Sequence, residues 1–251
     1  MTDEYELLKK RFLELDRKAY SGGYYTFTDF LGLAEQAAFA EVKKSITSKY
    51  TAFGGVRDAE RVMIRFGDPE EIGYELEHPI VCIRIAPKSE KFADKLTHRD
   101  FLGSLMNLGI ERDTLGDIVI RDNVGYLFVK EDIAEYVVNE LTRVKKTDVK
   151  SVITEDIPEG DLYKTERRRI QAVGERLDAV IAKVFSLSRD DASMLFKKNL
   201  VFADGRQIES TSYIPKRGEK ISVRGYGRMI YLGYESETRK GKLNIELDVY
   251  V

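Results

Sequence analysis

Apolar residues recur at helical spacing from the start of the chain. Leu8, Phe12, Leu15 and Ala19 form one stripe over residues 4–19, and Ser21-Gly22-Gly23 breaks it. Thr28 suits the N-cap of a second helix over 29–44, so the chain is expected to open with a helical hairpin that packs on the domain after it. From residue 50 the pattern alternates between strand and helix. Residues 62–66 and 80–85 are rich in Val and Ile and read as strands. Thr97 opens a helix that runs through Asn107 and ends at Gly109. Two strands, 117–121 and 124–130, flank a tight Asp122-Asn123 turn, with Gly125 relaxing the backbone beside it. Residues 131–144 form a helix with Ile133, Val137 and Leu141 aligned, and 148–154 a last strand. The order strand-helix-strand-strand-helix-strand is the ferredoxin-like (RRM-like) βαββαβ plan. Tyr126 and Phe128 alternate and so share one sheet face, where core packing is the expected role over base stacking.

Residues 155–163 are acidic, with one Pro and one Gly, and read as a linker. The run Lys164-Thr165-Glu166-Arg167-Arg168-Arg169 follows, as a basic helix. It reads equally as a solvated face or as a phosphate-contacting extension. Leu177, Val180, Ile181 and Val184 then share one face of a helix, and Ser188 opens another with Asp191 as its capping-box partner. A short strand (200–202), an Asp204-Gly205 turn, a Pro215–Gly218 turn, a strand (221–224) and a terminal hairpin (229–234 with 243–250 around Arg239-Lys240-Gly241) complete the pattern. The predicted class is α+β. Its parts are a helical subdomain (1–48), a ferredoxin-like domain (49–155), a linker with a basic helix (156–170) and a C-terminal αα-β module (171–251).

Composition is ordinary for a folded chain of 251 residues, and no apolar run is long enough to span a membrane. The N-terminal MTDEYELLKK is charged and helical in pattern, unlike a signal peptide. The single cysteine, Cys82, lies in an apolar run and reads as a packing thiol, which fits a reducing cytoplasm. Charge is uneven along the chain. Residues 164–251 hold 18 Lys and Arg against 12 Asp and Glu, whereas residues 1–163 hold 23 against 31. A basic module on an acidic body points to a polyanion partner at one end.

Catalytic constellations are lacking. His98 and Asp100 begin a helix, but no serine elbow or reactive cysteine accompanies them, and contact with a partner through Lys95, His98 or Arg99 is the stronger reading. No Cys/His cluster has metal-ligand spacing and no phosphate-binding loop exists, so no cofactor and no metal are expected. Asp113, Asp117 and Asp122 read as turn formers. Cations collect instead in the C-terminal module. Arg189 and Lys197 lie roughly on one helix face, and Gly225-Tyr226-Gly227-Arg228 offers a stacking ring and a cation on a close-approach backbone.

Two resemblances refine this reading. Arg176-Leu177-Asp178, Ser188-Arg189 with Ala192, Val201, Asp204-Gly205, Lys216 with Gly218, and Ile221-Ser222-Val223 resemble the S-four-type RNA-binding domain. Asn199 and Ala203 stand where that family usually has a glycine and an asparagine. Thr28–Leu31, Gly54-Gly55, Ala59–Val62, Leu96–Gly103, Leu105–Ile110 and Gly116–Ile118 are similar to the bacterial YlmH family. The resemblance implies a non-catalytic RNA-binding adaptor for rRNA or tRNA, tied to the large ribosomal subunit and to rescue of stalled translation. It also implies a link to cell division, whose proteins join the expected partners; no membrane insertion is expected. Arg176, Arg189, Lys197, Lys198, Arg206, Lys216, Arg224 and Arg228 would then meet phosphates, Ser188 and Asn199 would add hydrogen bonds, and Tyr226 would stack. Asp178 is expected to hold the helix face or pair with an arginine. Charge reversal at Arg189 is expected to weaken RNA binding at nearly unchanged melting temperature. The alternatives are an RNA-modifying enzyme around His98 and Asp100, or a protein-interaction scaffold.

Overall fold

In the computed structural model, which describes residues 2–56, 59–157, 165–239 and 241–250, the first hydrophobic stripe is buried as its spacing requires. Helix α1 (Thr2–Gly22) buries Phe12, Leu15 and Ala19 and ends at Gly23, which adopts a left-handed φ of 63°. The second helix starts later than expected. Thr28 does not cap it: its hydroxyl accepts the Ile64 N–H at 2.9 Å and donates to the Asp29 carbonyl. The segment instead forms strand β1 (Thr26–Phe27), and α2 (Leu33–Val42) follows Gly32. Strands β2 (Tyr50–Phe53) and β3 (Met63–Phe66) join β1 in an antiparallel sheet of order β1-β3-β2. The 62–66 strand therefore belongs to the N-terminal layer. A single turn, α3 (Pro69–Ile72), capped by Asp68, leads on to the central sheet.

That sheet follows the predicted plan. Strands β4 (Ile80–Pro87), β5 (Leu115–Arg121) and β6 (Val124–Lys130), with helices α4 (His98–Asn107) and α5 (Glu131–Glu140), precede the short β7 (Arg143–Val144) and β8 (Thr147–Thr154). The order is β5-β6-β4-β8-β7 and every pairing is antiparallel. Helix α5 stops at Glu140, short of the expected 144. Lys145 takes a left-handed φ of 56° and turns the chain into the β7-β8 hairpin. The β5-β6 turn forms at Asp122 and Asn123, both at positive φ, residue types that tolerate that region.

The two faces of the central sheet have different covers. Phe101, Leu105 and Val137 from α4 and α5 pack on Ile83, Ile85, Leu115, Leu127 and Val129. On the other face Cys82, Val119 and Phe128 bury against Phe30 and Met63 of the N-terminal layer. Phe128 is 1% exposed, so it is a core ring. Burial alone pushes the Cys82 thiol up to about 12. Glycines permit this approach: a Cβ on Gly55 would meet the Phe128 ring at 2.3 Å, and one on Gly116 the Phe30 ring at 2.8 Å. Arg61 staples the seam, donating to the carbonyls of Phe30, Arg112 and Leu115. Asp117 is buried within β5 and accepts the Glu60 N–H at 2.6 Å, so it is a seam residue and not a turn former.

The chain divides into two units, Met1–Leu162 and Tyr163–Val251. The second opens with a departure from expectation. The cationic run is strand, not helix: β9 (Thr165–Ala172) pairs along its whole length with the last strand, β14 (Leu243–Tyr250). The rest of the expected linker from 158, with Lys164, lies outside the described residues, as does Lys240 of the terminal turn. Helices α6 (Leu177–Val184) and α7 (Arg189–Lys197) are followed by β10 (Val201–Ala203), β11 (Arg206–Gln207), β12 (Lys220–Val223) and β13 (Gly227–Glu237). The antiparallel order is β11-β10-β12-β13-β14-β9. The apolar faces of both helices pack with Val201, Ile221, Val223, Met229, Ile245 and Leu247 in one core. Among the described residues no helix is long and apolar enough to cross a membrane.

Candidate nucleic-acid interface

The cations of the C-terminal unit begin around one buried carboxylate. Asp178 sits in the first turn of α6, where negative charge is favoured, and is 2% exposed. The Leu177 and Asp178 N–H groups donate to the carbonyls of Tyr213 and Thr211, which satisfies helix-start donors and pins the 211–213 segment. The carboxylate receives Arg176 through Nε at 3.2 Å and Nη2 at 3.0 Å, and Arg189 through Nη2 at 2.8 Å. Both guanidiniums remain about half exposed, at 49% and 51%. One buried negative charge thus fixes two arginines from different helices, and the trio keeps a net positive charge on its wet side. The expectation that Asp178 pairs with an arginine holds for two. Arg189 consequently has a structural role as well, and its reversal to Glu would set like charges against Asp178. The expected unchanged melting temperature is replaced by a fall.

Ser188 is engaged in its own helix. Its hydroxyl accepts the Asp191 N–H at 3.0 Å, the cap its spacing predicts, but the Asp191 carboxylate takes the hydroxyl proton at 2.6 Å, where the expected capping box has it accept the Ser188 backbone N–H. At the other end of α7, Lys197, Lys198 and Asn199 are exposed. Asn199 adopts a left-handed φ of 56°, a region that asparagine tolerates better than most residues. The Arg224 N–H donates to the Leu200 carbonyl, and the Arg224 guanidinium lies 4.4 Å from the centre of the Phe202 ring. Lys197, Lys198, Asn199 and Arg224 therefore converge where α7 enters β10.

The remaining predicted residues stand apart from these two groups. Arg206 is exposed on the β10-β11 hairpin opposite Ala203, at the far end of β10 from Leu200. Lys216 is exposed in the turn before β12, where its N–H donates to Glu219 at 2.8 Å. Tyr226 is 48% exposed after Gly225, and its ring leans on Phe185 at 6.1 Å. Arg228 stacks over Tyr250 at 4.5 Å. Sequence reasoning missed Lys183 and Lys242. Both line a cleft of about 500 Å³ with Gln171, Ala179, Leu187 and Arg189. Their isolated positions, one on a helix and one in the turn between β13 and β14, gave no motif to read.

The densest cationic run behaves differently. Arg167 pairs with Asp248 at 2.6 Å and Glu246 at 3.4 Å. Arg169 pairs with Glu246 at 3.1 Å and also with Glu235, and Arg168 with Glu166 at 3.3 Å. The antiparallel register sets Arg167 opposite Asp248 and Arg169 opposite Glu246, so this ladder is neutralised by the sheet itself.

In the first unit, Asp100 accepts the Thr97 N–H at 2.8 Å and the Thr97 hydroxyl at 2.7 Å. The Thr97 hydroxyl and backbone hold its carboxyl below the usual carboxylate range. Such a group is a poor proton acceptor and a good helix cap. Among the described residues no group of three or more His, Cys, Asp or Glu gathers to hold a metal.

Residues 74–156, which span the central sheet and its helices, match the family model described as "Putative RNA-binding domain in YlmH". The chain is 32% identical over 232 residues to the Ribosome-associated protein quality control protein P2 of Bacillus subtilis (strain 168), covering 88% of this chain and 86% of that protein. It is also similar to a solved structure titled cell division protein ylmH from Streptococcus pneumoniae, at a TM-score of 0.49 and 18% identity, over 60% of this chain and 91% of that one. With nearly the whole length shared at that identity, the chain belongs to the YlmH family.

Proposed function

We propose that this protein is a non-catalytic RNA-binding adaptor in ribosome-associated quality control. It grips structured rRNA or tRNA on the large ribosomal subunit through a C-terminal S-four-type module. The observation that carries the reading is the 32% identity, across 88% of the chain, to a protein named for ribosome-associated quality control. The geometry supports it. Arg176 and Arg189, positioned by Asp178, and Lys197, Lys198 and Arg224 at the far end of α7 offer charge from two places on one compact unit. Cations spaced along a helix suit phosphates along a nucleic-acid backbone, and they supply affinity without reading sequence. The helix-cap role of Asp100 favours an adaptor over an enzyme at that site.

Sucrose-gradient sedimentation of tagged protein in lysate tests this reading. Wild type is expected to travel with large subunits, and Lys197→Glu/Lys198→Glu to remain at the top. Wild type remaining at the top in low salt would remove the ribosome as a stable partner.

A further inference from the structure

The C-terminal unit holds a cleft of about 500 Å³ beside the Asp178 cluster, bounded by α6, the start of α7, the end of β9 and the turn before β14. Its floor is apolar and is kept low by small side chains. Ala172 of β9 and Ala179 and Ala182 of α6 are all buried there. Leu187, between the two helices, adds to the apolar lining, and its N–H donates to the Ala182 carbonyl at 2.8 Å, which fixes that turn. Cations stand around the floor: Lys183 in the last turn of α6, Arg189 at the start of α7 and Lys242 just before β14.

Two features separate this cleft from ordinary solvated surface. Among the described residues no carboxylate lines it, and neither Lys183 nor Lys242 makes an ion pair. On β9, by contrast, each described arginine of the run has a carboxylate. Lys183 suits the C-terminus of α6 by its charge alone, but Lys242 reaches the same cleft from a separate turn. The margin also combines an apolar side chain with an oriented amide. Val173 is 77% exposed beside the cations. Gln171 donates from Nε2 to Asn244 at 3.2 Å, and Asn244 donates in turn to Ser236 at 2.9 Å. That chain holds the Gln171 amide and leaves its oxygen unused among the described residues.

A duplex presents its phosphates on an outer ridge and cannot fill a concave apolar floor. An unpaired nucleotide can, because it carries a flat ring as well as charge and can be splayed out of a loop or bulge. The volume falls in the range of about 300–1,000 Å³ typical of sites for small organic groups. We propose that this cleft seats one unpaired nucleotide of the bound RNA. The base packs on the alanine floor and Val173, Gln171 accepts a hydrogen bond from the base edge, and Lys183 and Lys242 take the phosphates on either side. Arg189 joins the seat to the Asp178 cluster. This deepens the RNA-binding reading and rests on it. It adds to a module whose other cations bind phosphates without reading sequence a place that separates looped RNA from a plain duplex.

The test compares binding of purified bulk tRNA, which has unpaired loop nucleotides, with binding of a blunt RNA duplex to full-length protein over a salt series. Wild type, Lys183→Ala/Lys242→Ala, Ala182→Leu and Lys197→Ala/Lys198→Ala are measured. Removing Lys183 and Lys242 is expected to lower the slope of log affinity against log salt for tRNA by about 2, one for each phosphate contact, and to leave the duplex slope unchanged. Ala182→Leu fills the floor with every charge in place and is expected to weaken tRNA binding about tenfold, the loss of one seated base. Its unchanged duplex affinity serves as the check on folding, and the exposed-lysine variant decides the matter if that check fails. Unchanged tRNA binding in both cleft variants, with a reduced slope for Lys197→Ala/Lys198→Ala, overturns this inference and leaves the RNA-binding reading standing. Equal losses on tRNA and duplex in the Lys183→Ala/Lys242→Ala variant make the cleft a plain phosphate contact and overturn the seat. Binding of free adenosine monophosphate that both cleft variants lose, with tRNA binding intact, assigns the cleft to a free nucleotide and overturns the RNA source. Absence of tRNA binding by wild type at low salt overturns both this inference and the reading it rests on.

Discussion

Strand β9 and helix α7 both bring cations to the surface of the C-terminal unit, and they do opposite things with them. On β9, Arg167 and Arg169 stand across from Asp248 and Glu246, and the charges cancel within the sheet. On α7 and the turn after it, Lys197 and Lys198 have no carboxylate partner among the described residues. Arg189 is intermediate, held by Asp178 yet half exposed. Density of charge along a sequence is therefore a poor guide to charge available for a ligand. What counts is whether the fold places an opposite charge alongside, and for β9 that charge comes from residues about eighty positions away.

The largest expected effect breaks the Asp178 cluster. Arg176→Ala/Arg189→Ala leaves a buried carboxylate without its partners, and the expected loss is about 3–5 kcal/mol of stability, measured by urea unfolding. An unchanged midpoint would mean that Asp178 is solvated. Next comes Lys197→Ala/Lys198→Ala, which is expected to keep stability within about 0.5 kcal/mol, since both side chains are exposed and neither has a partner among the described residues. The same variant is expected to weaken RNA binding clearly in a filter assay. The smallest effect belongs to Arg167→Ala/Arg169→Ala. Exposed cross-strand pairs contribute little, so the thermal midpoint should move only slightly and RNA affinity should stay near wild type. A large loss of affinity there would show that the ladder opens to RNA.

Much of this organisation was legible in the sequence. The Asp122-Asn123 hairpin could be read because those residue types tolerate positive φ. The ferredoxin-like order followed from alternating periods, and the Ser188 cap from its spacing to Asp191. Strand β9 was not legible. The run Glu166–Arg169 has no apolar alternation because both of its faces are exposed, and its pairing depends on β14. The N-terminal sheet was hidden for related reasons. Strand β1 has two residues, and all four residues of β2 are exposed, so neither leaves a burial pattern. Of the candidate site, residue types were legible and partners were not. Nothing local says that Asp178 holds both Arg176 and Arg189, or that Arg61 and Asp117 serve a seam between layers.

The central claim is that unpaired cations at the end of α7 hold RNA and paired cations on β9 do not. The most direct test measures tRNA affinity over a salt series for wild type, Lys197→Ala/Lys198→Ala and Arg167→Ala/Arg169→Ala. The α7 variant is expected to lose about 2 from the salt slope, one per phosphate contact, while the β9 variant keeps the wild-type slope. The reverse pattern, with the slope lost on β9 and kept on α7, would contradict it.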